Sequence, residues 1–412
     1  MRISTRILRS RCLSLVGCLF VAGACQGRAV GLEQDAHAPA NTARCGNDQC
    51  EPGEDAAGCP QDCAATSVAA GGGHSCAVLV DGTARCWGWN GEGMLGDGTQ
   101  TDRLTPGIVD TLTDAVAVGA EQSHSCALRL DGSVWCWGGN AVGQLGNGSF
   151  VDQPLPVATV ELTQVTGLSA GWGHTCALRT DGTVWCWGDN SAGQLGPGYD
   201  AASQTPVQVA GITGATTVAS GGSHTCASLA DGSVSCWGEN QDGQLGDGTV
   251  APRADPRIVP DLTGVRTVTA GWFHSCALSH AGTVACWGRN LHGQLGDTSQ
   301  DQQLRPVPVA DLTDGVALAT GGNHSCVVLA DATAQCWGWN YHGQLGDGTL
   351  EHQMRPTTVN GLQDVLAISP GSCHTCALLL DGTVRCWGRN DAGGVGDGSR
   401  TNSSEPTRVT GL

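Results

Sequence analysis

His174-Thr-Cys-Ala-Leu-Arg-Thr-Asp-Gly-Thr-Val-Trp-Cys-Trp-Gly-Asp-Asn-Ser-Ala-Gly-Gln-Leu-Gly196 is one of seven copies of the same stretch. The histidines that open the copies are His74, His124, His174, His224, His274, His324 and His374, spaced 50 residues apart with no insertion. A period of that length belongs to a solenoid, a propeller or an array. Within a copy, two β-rich runs flank an Asp-Gly pair, a strong hairpin signal. In copy two, a three-residue loop of Leu130, Asp131 and left-handed Gly132 makes Arg129 face Ser133 and Cys126 face Cys136. Directly opposed residues have Cβ atoms roughly 4.5–5.5 Å apart, close to disulfide range. A two-residue loop would send the two cysteines to opposite faces. The register therefore predicts seven within-copy disulfides: Cys76–Cys86, Cys126–Cys136, Cys176–Cys186, Cys226–Cys236, Cys276–Cys286, Cys326–Cys336 and Cys376–Cys386.

An apolar run precedes each histidine, as in Ala115-Val116-Ala117-Val118. A turn-rich Gly-Gln-Leu-Gly segment and then Pro-x-x-Val follow, as in Pro206-Val207-Gln208-Val209. That gives about four short strands per copy and no helical periodicity. Four strands repeated seven times predict an all-β, seven-bladed β-propeller. A β-solenoid is the alternative, but its repeats are usually shorter and its ends need distinct capping copies.

The pattern Ala-Gly-x-x-His-Ser/Thr-x-Ala-Leu-x-x-Asp-Gly-x-Val-x-x-Trp-Gly-x-Asn-x-x-Gly-Gln-Leu-Gly resembles the regulator of chromosome condensation repeat family over residues 67–412. The resemblance implies a seven-bladed propeller. The paired cysteines depart from the nuclear members of that family and suggest an exported bacterial branch.

Residues 1–24 read as an export signal: Arg2, Arg6, Arg9 and Arg11, then an apolar core from Cys12 to Ala24 too short to span a membrane. Ala22-Gly23-Ala24-Cys25 resembles a bacterial lipobox, which implies lipidation of Cys25; Leu15-Val16-Gly17-Cys18 is a poorer match, and simple cleavage after Ala24 is the plainer alternative. Gln26 after the cysteine, by resemblance to Gram-negative lipoproteins, points to the outer membrane. Residues 25–44 are a polar tether, whose 19 residues after the cysteine span roughly 25 Å as flexible coil. Residues 45–63 hold Cys45, Cys50, Cys59 and Cys63 and resemble small cysteine-rich modules of exported bacterial proteins. Two disulfides can hold so short a segment without a core, with the pairing open. Asp48, Glu51, Glu54, Asp55 and Asp62 are candidate calcium ligands there; a solvated acidic knot is the plainer reading, and no other cofactor is expected. Cys373 is left over. So many paired cysteines fit an oxidising compartment.

A chain starting at Cys25 keeps 16 of the 20 basic residues and all 38 acidic ones, a net charge of −22, and it contains no lysine. Such a surface repels nucleic acid. Seven zinc sites built from the histidines and cysteines are rejected, since the cysteines are accounted for as disulfides and zinc needs four ligands. The repeated histidines, predicted to hydrogen-bond backbone between blades, and the tryptophans Trp87 to Trp387 at each 50th residue read as structural.

Function is therefore expected where the repeat breaks. Trp172, Trp272 and Phe273 stand where other copies have glycine, serine or asparagine, and Glu121-Gln122 replaces a glycine pair. Trp89 and Trp339 follow Trp-Gly, and Tyr341 lies two residues further on. Aromatics at variable loop positions on one end of a ring are typical of binding hot spots; scattered exposed aromatics are the plain alternative. No nucleophile elbow, zincin helix or phosphate loop is present, and Glu121 is a single weak candidate for a general base. The expectation is an exported, lipid-anchored, monomeric propeller that binds an envelope protein or glycan. A propeller lyase or hydrolase is the enzymatic alternative. Nucleotide exchange, as in the nuclear family member, is disfavoured by export and acidity.

Overall fold

The computed structural model describes Cys50, Glu54, Ala56, residues 58–199 and residues 201–412. The signal, Cys25, the tether, Cys45, Asp48, Glu51 and Asp55 lie outside them. Seven four-stranded antiparallel sheets form, each from contiguous chain in the order first, second, third, fourth. Blade one holds Ala65–Ala70, His74–Leu79, Ala84–Gly88 and Arg103–Ile108. Blade seven holds Val365–Pro370, His374–Leu379, Val384–Gly388 and Ser403–Arg408. First strands line the central channel and fourth strands form the rim. Each fourth strand carries a proline at one fixed position, Pro106 to Pro406, and proline blunts an outer edge against further pairing.

The hairpin follows the predicted register. Cys126 faces Cys136, Arg129 N–H donates to the Ser133 carbonyl at 2.9 Å, and Gly132 sits at φ 78°. Asp131 Oδ1 accepts from Ser133 N–H at 2.9 Å and from its hydroxyl at 2.6 Å, which explains the recurring Asp-x-Ser/Thr. All seven disulfides form, with Cα atoms 4.0–4.1 Å apart.

One layer of contacts joins every blade to the next. Each disulfide is fully buried and packs beside the tryptophan of the following blade, as Cys126–Cys136 does with Trp187. That indole donates Nε1–H to a backbone carbonyl of the preceding blade, Gln144 for Trp187, at 2.8 Å. Gly146 (φ 66°) lies against the same ring, where a Cβ would stand 2.8 Å from it. The histidines differ from expectation. His124 Nε2 meets the Thr175 hydroxyl of the next blade at 2.8 Å, and that hydroxyl donates to the Gln144 carbonyl at 3.0 Å. The partner is a side chain because the backbone carbonyl is already taken by the hydroxyl, and the bond requires the proton on Nε2. Burial pushes the histidines down, to about 3 for His124 and about 4 for His174.

The ring closes without strand exchange. Ala65 N–H donates to the Gly382 carbonyl at 2.9 Å, as Ala115 does to Gly82 between blades one and two. Ser75 joins His374 Nε2 at 2.8 Å.

In the cysteine-rich module, Cys50 pairs with Cys63. The Cys50 N–H donates to Asp81 and its carbonyl accepts from Arg85 at 3.1 Å. The described part of the module therefore rests at the Asp-Gly hairpin end of blade one.

Candidate functional site: the mouth of the central channel

The loops joining first and second strands ring the channel at the end opposite those hairpins. The longer loops joining third and fourth strands open on the same end, because Trp89 N–H donates to the Gly73 carbonyl at 2.9 Å and each blade repeats the bond. Each long loop is organised by the constant asparagine. Asn140 Nδ2 donates to the Ser149 and Val151 carbonyls at 3.0 and 3.1 Å, and its Oδ1 accepts from Leu145 N–H at 3.0 Å.

The inner loops begin with glycine in six blades. A Cβ at Gly71, Gly171, Gly221, Gly271, Gly321 or Gly371 would run into a backbone oxygen of the neighbouring blade. Backbone bonds then lace the loops together: Gly72 to Glu121, Trp172 to Gly221, Gly222 to Gly271, Trp272 to Gly322, Gly322 to Gly371 and Ser372 to Gly71, at 3.0–3.4 Å. Among the described residues the lacing has no bond between blades two and three. Glu121, the one side chain at the glycine position, stands at that seam, and the inner strands of these two blades touch least.

Trp172, Trp272 and Phe273 converge. The Trp172 and Trp272 ring centroids are 4.9 Å apart, and Phe273 lies 5.7 Å from the first and 6.4 Å from the second, all edge to face. The half-buried rings, carried by blades three and five, meet across blade four. Small residues at Gly222 and Ser223 leave room for that approach. Arg289 lies 4.0 Å over Phe273 and pairs with Asp242 at 3.0 Å, which steadies one side of the cluster. The Trp172 Nε1–H is buried with no hydrogen-bond partner.

Glu121 and Trp272 line one cavity together with Ser220, Thr320 and Gly371. Its volume is ≈ 10 Å³, room for about one water. Enclosure by the loops pushes the Glu121 carboxyl up to about 8. Solvent reaching it through the mouth softens that penalty, and the direction, toward a proton retained at neutral pH, follows from desolvation. Gln122 is exposed and accepts from the Ser372 hydroxyl at 3.2 Å across Gly72.

The other candidates share this end, further from the axis. Trp89 is half-buried. Trp339 lies 6.1 Å from His292 and 5.4 Å from His342, and Tyr341, 68 % exposed, lies 5.2 Å from His342. His352 joins this group, edge to face 5.0 Å from His292, and its Nδ1 accepts from Asn340 N–H at 3.0 Å. Burial holds His292 and His342 below the usual range. Cys373 is buried, and burial pushes its thiol up.

Among the described residues, three metal-ligating side chains converge at Cys50, Glu54 and Cys63. The two sulfurs form a disulfide, so neither offers a thiolate. Glu54 is buried, with its carboxylate beside the Cys59 and Cys63 sulfurs.

Fold and mouth together define a seven-bladed propeller with one end made asymmetric by a few side chains. The chain matches the RCC1-like domain over residues 18–377 and the RCC1 repeat over 365–393, and it belongs to that family. No curated relative matches it in sequence. Prp20p of Saccharomyces cerevisiae, described with its binding to Gsp1p and histones, is 25 % identical with a TM-score of 0.69, covering 81 % of this chain and 87 % of that one. Human WBSCR16 is 24 % identical with a TM-score of 0.68, covering 75 % and 84 %. Among the described residues no helix is long and apolar enough to cross a membrane.

Proposed function

We propose that this chain is an exported binding propeller, held on the cell envelope by lipid at Cys25, that presents the channel mouth to a protein or glycan. The observation that carries this reading is the convergence of Trp172, Trp272 and Phe273. The family fold does not need them, since smaller residues serve in other blades, yet they meet at one point. Aromatic anchors that cluster centrally are what dominate binding energy in interfaces. The described part of the cysteine-rich module sits at the opposite end, so a tether leaving from it would turn the mouth outward.

A photo-reactive residue tests the orientation. Placed at Gln122 on the mouth, it should crosslink an envelope component; at Asp231 on the hairpin end it should not. Crosslinking from Asp231 alone would refute the reading. An exchange-factor role on a small GTPase is a second reading, favoured by the likeness to Prp20p and disfavoured by the −18 charge and the disulfides. Catalysis at Glu121 would want a second acid or base, and no other titratable group lines its cavity among the described residues.

A further inference from the structure

We propose that the channel mouth seats one primary ammonium group, supplied by a lysine side chain of the partner, with Glu121 as its counter-ion and the Thr320 hydroxyl as a second acceptor. This rests on the mouth being the docking face.

Glu121 is costly where it stands. It replaces a glycine that every other blade keeps, it accompanies the missing bond in the lacing, and among the described residues its carboxyl makes no ion pair and no hydrogen bond. A carboxyl retained for structure would be paired. Thr320 is the second, independent observation. It is only 7 % exposed, lines the same cavity, and its hydroxyl has no partner. Its equivalents in other blades are Ala70, Ala120, Ala170, Ser220, Ala270 and Pro370. Of these only Ser220 has a hydroxyl, and it is satisfied by the Ser169 carbonyl at 3.2 Å. Beside Thr320, the Gly321 carbonyl also accepts no bond in the lacing, because Trp272 N–H goes to Gly322 instead.

Carboxylate, hydroxyl and carbonyl are all acceptors, the complement of a group with three donors and no lone pair. The cavity takes a head the size of one water, which suits an ammonium and not the broad plane of a guanidinium. Trp272 forms one wall, and Trp172 lies against it, so an aliphatic stem would run along indole as lysine stems do on apolar surfaces. The chain has no lysine of its own to fill the seat, and its net charge of −18 draws basic partners.

The probe is n-butylammonium, with n-pentanol as the neutral analogue, titrated into the full oxidised chain and followed by calorimetry and tryptophan fluorescence. Butylammonium should bind and pentanol should not. Pairing requires Glu121 to release its proton, so affinity should rise by up to tenfold per pH unit between about pH 6 and 8. Glu121→Gln should abolish binding and its pH dependence, and Thr320→Val should weaken it severalfold. Glu121→Gly is the second variant, since glycine already serves in six loops, and it should also fail to bind. Equal binding of both probes, a flat pH profile, binding retained in Glu121→Gln, or no binding at millimolar probe would each overturn the proposal. If the seat fails while loss of Trp172 and Trp272 still abolishes capture of the envelope partner, the docking face stands and only the ammonium is wrong.

Discussion

The layer between blades and the ring at the channel mouth are built from the same repeat and have opposite characters. Between blades, disulfide, tryptophan, histidine and hydroxyl recur seven times in the same geometry, so no blade is distinguished there. At the mouth, the inner loops differ from blade to blade, and one seam in seven lacks its bond. A contact repeated around a ring can hold the ring together but cannot aim at anything. Specificity has to come from the positions where the copies disagree.

The largest difference should appear in acid. The unfolded chain takes protons at seven histidines below about pH 6.5, while the buried ones resist until about 3 to 4. Their folded values are depressed, so stability is intact above the unfolded value and is lost as pH falls below it. The loss is on the order of 1 kcal/mol per histidine per pH unit, and Glu121 opposes it as one group against seven. Melting scans should show a much lower Tm at pH 5.5 than at pH 7.5; equal values would mean that the buried histidines do not stay neutral in the folded chain. Next in size is the inter-blade tryptophan. Trp187→Ala removes a buried ring and its bond to Gln144, and should cost about 3–5 kcal/mol in denaturant titration. Smaller again, removing one disulfide with Cys176→Ser and Cys186→Ser should cost about 2–3 kcal/mol under oxidising conditions and nothing extra in a reductant.

Much of this was readable in the sequence. The period of 50 fixed the blade, and the Asp-Gly register placed Cys126 opposite Cys136, because strand alternation leaves few choices. Trp172, Trp272, Phe273 and Glu121 stand out in the sequence because a repeat exposes its own exceptions. What stayed hidden depends on curvature. That Trp172 meets Trp272 across blade four, or that Thr320 shares a cavity with Glu121 from three blades away around the ring, follows from how tightly the ring closes, which one repeat does not encode. The histidine's side-chain partner does have a signal in the sequence, since a serine or threonine follows every one of the seven histidines.

The most direct test of the division between holding and aiming is a single paired measurement on Trp172→Gly with Trp272→Gly: Tm, and the binding isotherm for the envelope partner captured through Gln122. The account predicts a Tm close to wild type and an affinity at least about 30-fold weaker, the equivalent of losing one 2 kcal/mol anchor. An unfolded double variant, or one that binds its partner as wild type does, would contradict it.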